Sequence, residues 1–249
     1  MASAVGERRT VGRRYRYYDL LLAGFVAVLL CSNLIGPAKV VELSLPVALP
    51  IVGTALVFGA GNIFFPISYI FGDVLTEVYG YARARKVIWA GFFAMLFATT
   101  MAFVVIGLPP SPQEPFNATL QPALETVFGN TWRVVAASIT AFWAGDFVNA
   151  YVMAKMKVWT AGRWLWMRTI GSTIVGQGVD SMIFYPLAFG GIWASDTLVA
   201  VIAFNFTFKV MVEVVMTPAT YAAVGWLKKR EDEDYFDTET RFTPFSLSD

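Results

Sequence analysis

Six stretches, at about 19–38, 51–79, 87–108, 131–154, 165–190 and 197–227, run apolar for about 20 residues or more, which is the length at which a helix crosses a bilayer. Hydrocarbon leaves backbone N–H and C=O groups no partner but each other, so stretches of this kind are read as helices. Of the 249 residues 57% are hydrophobic and only 15% charged, against about 25% charged in an ordinary soluble domain. The expected fold class is an all-α integral membrane protein with six transmembrane helices, both termini cytoplasmic and a polar central cavity. The second and sixth stretches exceed a straight crossing; Gly59, Ala60, Gly61 and Pro66 in one and Pro218 in the other would kink or interrupt them, and tilt alone would also absorb the length. No soluble domain is visible. The first stretch lacks a small-x-small cleavage site and Leu30 spoils a lipoprotein box before Cys31, so it is read as a retained helix.

Lys and Arg mark the cytoplasmic side of a multispanning chain. Arg8, Arg9, Arg13, Arg14 and Arg16 precede the first stretch; Arg83, Arg85 and Lys86 follow the second; Lys155, Lys157, Arg163 and Arg168 surround the loop after the fourth; Lys228, Lys229 and Arg230 follow the sixth. Six crossings put all of these on one face and leave only Lys39 and Arg133 on the other, beside Glu42, Glu114, Glu125 and Asp196. An odd number would scatter them. The reading is therefore a basic cytoplasmic segment over 1–18, a transmembrane domain over 19–230, and an acidic, disordered cytoplasmic tail over 231–249, with the proline-rich 109–130 as an extracytoplasmic loop. Net charge is only +1 and the basic residues form no continuous stripe, so nucleic acid is set aside as a partner. A lone cysteine forms no internal disulfide, and the absence of histidine excludes histidine triads, histidine metal sites and histidine relays. Proton chemistry, where there is any, runs through carboxylates.

Ionisable groups within a membrane cost roughly 2.5–3.5 kcal/mol each on insertion scales and are functional candidates by default. Asn62, Pro66, Tyr69, Asp73 and Glu77 share one face of the second stretch; Asp146 and Asn149 lie in the fourth; Gln177, Asp180 and Phe184 form a stripe in the fifth; Asn205, Lys209, Glu213 and Thr217 recur every four residues in the sixth. Asp146, Asp180 and Lys209 each lie about 12–15 residues from a helix end, which is mid-membrane at about 1.5 Å per residue. Plainer roles exist for each alone. Lys209 and Glu213 would staple the bundle as an ion pair, Asp73 and Glu77 would form a helix-end cluster with Arg83, Arg85 and Lys86, and Gln177 and Asn149 would be interhelical glue. Gly176 and Gly178 suit close helix packing. Four polar stripes together have one common use, the walls of a polar cavity for solute passage. Carboxylates and amides beside Tyr69, Trp143, Phe184 and Tyr185 suit a planar solute with several N–H donors, and equally a cationic amine.

The segments "FFPISYIFGDVLTEVYGYARARK", "MRTIGSTIVGQGVDSMIFYPLAFGG" and "FKVMVEVVMTPATYAAVGWLKKRE" resemble the queuosine-precursor transporter family, also called the vitamin uptake transporter family, over residues 19–231. The family pattern falls on Pro66, Tyr69, Asp73, Glu77, Tyr79 and Gly80, on Arg168, Ser172, Gln177, Asp180, Ser181 and Phe184, and on Lys209, Glu213 and Pro218. The resemblance implies a multi-pass bacterial inner-membrane importer of 7-deazaguanine bases, facilitated or proton-coupled, and not an enzyme. In that frame Asp180, Gln177, Phe184, Tyr69, Asp146, Asn149, Asn205, Lys209 and Glu213 are the expected substrate contacts. Asp73, Glu77 and Arg168 are the expected gating or coupling groups. No phosphate-binding glycine motif is present, and no metal or cofactor is expected. The expected partners are the nucleobase, the lipid bilayer and, in a homodimer, a second copy. Two rivals remain at this stage: a substrate-binding subunit needing an ATPase partner, with Ala23 and Ala27 as its helix contact, and an intramembrane enzyme acting on a lipid, against which no nucleophile–base constellation is legible.

Overall fold

The computed structural model describes residues 15–34, 40–49, 53–59, 64–129 and 132–246. Among these, seven helices and one hairpin follow in the order α1 (Tyr18–Leu34), β1 (Val40–Leu49), β2 (Gly53–Gly59), α2 (Phe65–Tyr79), α3 (Tyr81–Gly107), α4 (Asn117–Phe128), α5 (Trp132–Trp159), α6 (Leu165–Phe189) and α7 (Ser195–Glu231). Five of the six apolar stretches thus appear as α1, α3, α5, α6 and α7. The second does not. The helix expected over 51–79, with a kink or interruption at Gly59, Ala60, Gly61 and Pro66 as one way to absorb its length, is replaced by β2, which pairs antiparallel with β1 (Val40 opposite Gly59, Leu43 opposite Leu56), and by the separate α2. The physical reason lies in the sequence: "GTALVFG" is a short apolar run bounded by glycines, which periodicity cannot distinguish from helix. Pro66 falls in the first turn of α2, where its missing N–H costs nothing, so it starts that helix instead of kinking a longer one. Asn62, Ala60, Gly61 and Lys39 lie outside the described residues. The loop at 109–130 also holds structure of its own, α4, which packs on α3 with Gln121 Nε2 donating to the Ile106 carbonyl at 3.0 Å.

The distribution of side chains is inverted relative to a soluble protein. Apolar residues point outward along α3, α6 and α7, with Phe97 71%, Met182 68% and Val215 73% exposed, whereas Asp73, Glu77, Arg168 and Glu213 are buried. Such a belt belongs in lipid. Trp132 and Trp159 project from opposite ends of α5, 77% and 78% exposed. Their separation along the helix, about 40 Å at 1.5 Å per residue, matches a bilayer with its headgroup layers, the level at which aromatic rings anchor. By length and hydropathy alone α3 and α7 qualify as membrane spans; α5 and α6, of 28 and 25 residues, are long enough but carry the polar interior.

The basic helix ends gather at one end of the bundle. Tyr18 at the start of α1 stands edge-on to Tyr79 at the end of α2, 5.3 Å between centroids, and its hydroxyl donates to the Arg83 carbonyl of α3 at 3.0 Å. Lys157 of α5, Arg168 of α6 and Lys228 of α7 all reach Glu77 of α2 there. Between α2 and α3 the chain turns at Gly80, whose φ of 82° and ψ of 169° are open to glycine alone and whose missing Cβ leaves room for the Tyr235 ring. Residues 232–246, expected to be a disordered end, lie across this end. Asp237 accepts the Tyr81 N–H through both oxygens at 3.1 Å, capping α3; Arg85 donates to the carbonyls of Arg241 and Thr243 at 3.1 and 2.7 Å; Trp89 donates to the Pro244 carbonyl at 2.7 Å. The physical reason is that the tail is not simply acidic: Tyr235, Phe236 and Phe242 give it apolar surface to bury, and Phe236 fills the space at Gly162.

Candidate functional site

A cavity of about 370 Å³ lies between α1, α2, α3, α5, α6 and α7. It reaches the end of the bundle opposite the basic residues, where Leu34, Val127 and Val134 line it, and descends to Thr76, Asn149 and Thr173. Eight of the nine expected substrate contacts line it: Tyr69, Asp146, Asn149, Gln177, Asp180, Phe184, Asn205 and Lys209. The ninth, Glu213, is buried away from the lining, against Asp73.

Close helix approach places these groups. At Gly145 a Cβ would come within 2.9 Å of the Asp180 Cβ and 3.1 Å of the Gly176 carbonyl, and at Gly176 within 2.7 Å of the Asn149 Cβ. The two glycines therefore let α5 and α6 touch backbone to backbone, with Asp180 packed over Gly145 and Asn149 over Gly176 on successive turns. Within the cavity Lys209 Nζ binds Asp180 Oδ2 at 2.6 Å, Tyr69 donates to Gln177 Oε1 at 3.3 Å, and Phe184 meets Tyr185 edge-on at 5.0 Å. Asn205 spends its amide on the Val201 carbonyl. With Lys209 on Asp180 and Asp146 on the same wall, the lining offers two acids against one base. Such a site favours a ligand rich in N–H donors.

Toward the basic end stands a buried ion cluster. Arg168 holds Glu77 bidentately, Nε to Oε2 and Nη2 to Oε1, both at 2.7 Å. Lys228 reaches Glu77 Oε1 at 2.6 Å, and Lys157 donates to the Glu77 carbonyl, to Asp234 and, at 2.8 Å, to the Tyr235 carbonyl. Lys228 also meets Asp234 at 2.8 Å. One carboxylate thus ties α2, α5, α6 and α7 together, and the tail locks onto the same cations. One turn away, Asp73 and Glu213 face each other, with Asp73 Oδ1 accepting from Asn149 Nδ2 at 3.3 Å. Asp73 Oδ2 and both Glu213 oxygens are buried without a donor.

The sequence profile described as "Putative vitamin uptake transporter" matches residues 59–223, which hold most of the cavity wall and the whole of both carboxyl clusters except Lys228 and the tail. The chain belongs to this family. Over 181 residues, 70% of this chain and 77% of the relative, it is 35% identical to the "Probable queuosine precursor transporter" of Bacillus subtilis (strain 168). Over 187 residues, 72% of this chain and 76% of the relative, it is 25% identical to the "Queuosine precursor transporter" of Escherichia coli (strain K12). No solved structure matches it.

In this vitamin uptake transporter relative, sequence reasoning missed Gly145, Lys157, Lys228 and Asp234. Lys157 and Lys228 were counted only as charges marking a membrane face. A signal was present for Lys157: with Ala150, Met153 and Ala154 it shares the buried face of α5 at spacings of three, four and seven. Asp234 had none, because its value comes from a tail folding back by long-range contacts.

Proposed function

We propose that this membrane transporter imports a 7-deazaguanine base, the 7-cyano or 7-aminomethyl compound or queuine, across the bacterial inner membrane. It does so through six crossings with both termini cytoplasmic, by facilitated or proton-coupled passage. One observation carries the reading: a cavity of about 370 Å³, within the usual size of small-molecule pockets, whose wall combines Asp146, Asp180 and Gln177 with Tyr69, Phe184 and Tyr185. A deazaguanine presents a ring N–H and an amino group side by side, and a carboxylate accepts both at once. Asp180 already gives one oxygen to Lys209, so Asp146 is the acid assigned to the donor edge, Gln177 the partner for the carbonyl side, and the rings the cover for the faces. Supporting it are the names of the two bacterial relatives and the gathering of the basic residues at one end, which positive-inside logic makes cytoplasmic. In that orientation the cavity opens outward and the Glu77 cluster is the closed inner gate.

The test uses cells unable to make the precursor, given it externally at low concentration, with queuosine in transfer RNA measured with and without the protein. Expression should restore the nucleoside, and Asp146→Asn should lower it. Equal queuosine with and without the protein would remove the reading.

A further inference from the structure

We propose that Asp73 and Glu213 form a proton site, their carboxyls sharing one proton while α2 and α7 are closed together and releasing it when those helices part. This deepens the transport reading and rests on it. The pair is buried, 0% and 1% exposed, and three of its four oxygens meet no donor. The cations of the interior are engaged elsewhere. From α7, Lys209 one turn up is on Asp180; from α6, Arg168 is on Glu77; from α5 and the end of α7, Lys157 and Lys228 are on Glu77 and Asp234. Of the other charged groups on these elements, Glu77 of α2, Asp146 of α5 and Asp180 of α6 are acids, Arg85 of α3 is turned to the tail carbonyls, and Asp19 of α1, Arg83 and Lys86 of α3, Arg133 and Lys155 of α5, and Asp196, Lys229, Arg230 and Glu231 of α7 lie toward the ends of their helices. Two ionised carboxyls in contact, out of water and without a cation, repel strongly; one proton between them replaces that repulsion with a short charge-assisted hydrogen bond.

The position of the pair gives the proton a task. Asp73 is on α2 and Glu213 on α7, the helices that Glu77 and Lys228 also join at the inner gate. A protonated pair holds the two helices together, and an ionised pair drives them apart. Asn149 lines the cavity and donates to Asp73, so the solute and the proton site share one side chain. The step balances without a co-reactant: one proton enters from cavity water, is held between the two carboxyls, and leaves to the cytoplasmic side as the gate opens, so one proton accompanies each solute inward.

The experiment reconstitutes the full chain in liposomes with a trapped pH-sensitive dye and labelled 7-cyano-7-deazaguanine outside. Wild type should accumulate label several-fold under an acid-outside gradient and acidify the lumen on addition of the base. Asp73→Asn and Glu213→Gln should still exchange label across the membrane but lose both the gradient-driven accumulation and the acidification. Wild type that exchanges label yet ignores the gradient and moves no protons overturns the proton site and leaves the transport reading standing, as does Asp73→Asn with full accumulation. Wild type that neither exchanges nor accumulates label removes the transport reading and this inference with it. Should a variant fail to insert, the wild-type dye signal decides.

Discussion

Asp73 and Glu77 occupy successive turns of one helix face, yet Arg168, Lys157 and Lys228 surround Glu77 while Asp73 meets a second acid. The difference is the neighbour that each turn of α2 faces, which spacing on α2 cannot reveal. It predicts different consequences of removing charge. Glu77→Gln leaves buried Arg168 without a carboxylate and Lys157 and Lys228 with Asp234 alone, and loss of one partner from a buried pair costs on the order of 3–5 kcal/mol; thermal unfolding in detergent should show a large drop, with Glu77→Asp intermediate. An unchanged midpoint would mean the cations are hydrated. Asp146→Asn should leave stability nearly intact and weaken the base, since a hydrogen bond to a charged group contributes about 1.5–3 kcal/mol, roughly 10- to 100-fold in affinity. Equilibrium binding of labelled base checks it, and equal affinity would take Asp146 out of the donor-edge role. The wall residues were legible in sequence because each interrupts an apolar helix. Glu213 was legible as an anomaly too, but its partner was not: Lys209, four residues before it on α7, turns to Asp180 on α6.

Among the elements, helices of 25 or more residues were readable because length and hydrophobicity decide them without tertiary help. The segment at 40–59 was not, since a short apolar run bounded by glycines suits strand or helix until it pairs. The α5–α6 contact is the element on which the cavity depends. Gly145→Ala and Gly176→Ala each place a methyl against backbone of the opposing helix, where overpacking costs about 1–3 kcal/mol. Both should lower stability and base affinity together, because Asp180 and Asn149 move with the helices. Gly178→Ala is the control: its nearest new neighbour would be Phe206 at 3.8 Å, an ordinary contact, so folding and affinity should hold. Equal effects at all three positions, measured by thermal unfolding and binding, would show that glycine content rather than close approach matters.

At the scale of the whole molecule, the Glu77 cluster and the tail close one end of a bundle whose cavity reaches the other. Asp234 links the two, since it meets Lys157 and Lys228, which also hold Glu77. Partial burial works to raise its carboxyl, but the hydrogen bonds from those lysines prevail and hold it below the usual carboxylate range. A depressed acid contributes stability above its unfolded value, about 3.9, and loses it as pH falls through the folded one. Asp237 acts oppositely. Burial raises its carboxyl against the Thr240 and Tyr81 hydrogen bonds, so its docking is favoured at low pH and weakens as pH rises through the raised value. Tail docking should therefore hold or tighten as pH drops from 7 toward 5, begin to weaken below about 4, where Asp234 of the undocked tail takes up a proton, and fail as pH falls on through the depressed docked value. A nitroxide at Glu239→Cys, on the exposed side of the tail and in a chain with Cys31 replaced, reports this as a rise in mobility. Asp234→Asn should make the label several-fold more mobile at neutral pH and erase the acid limb, while uptake through the intact cavity becomes faster if the tail restrains the gate. A label equally mobile in both proteins across this range would show that Asp234 does not hold the tail.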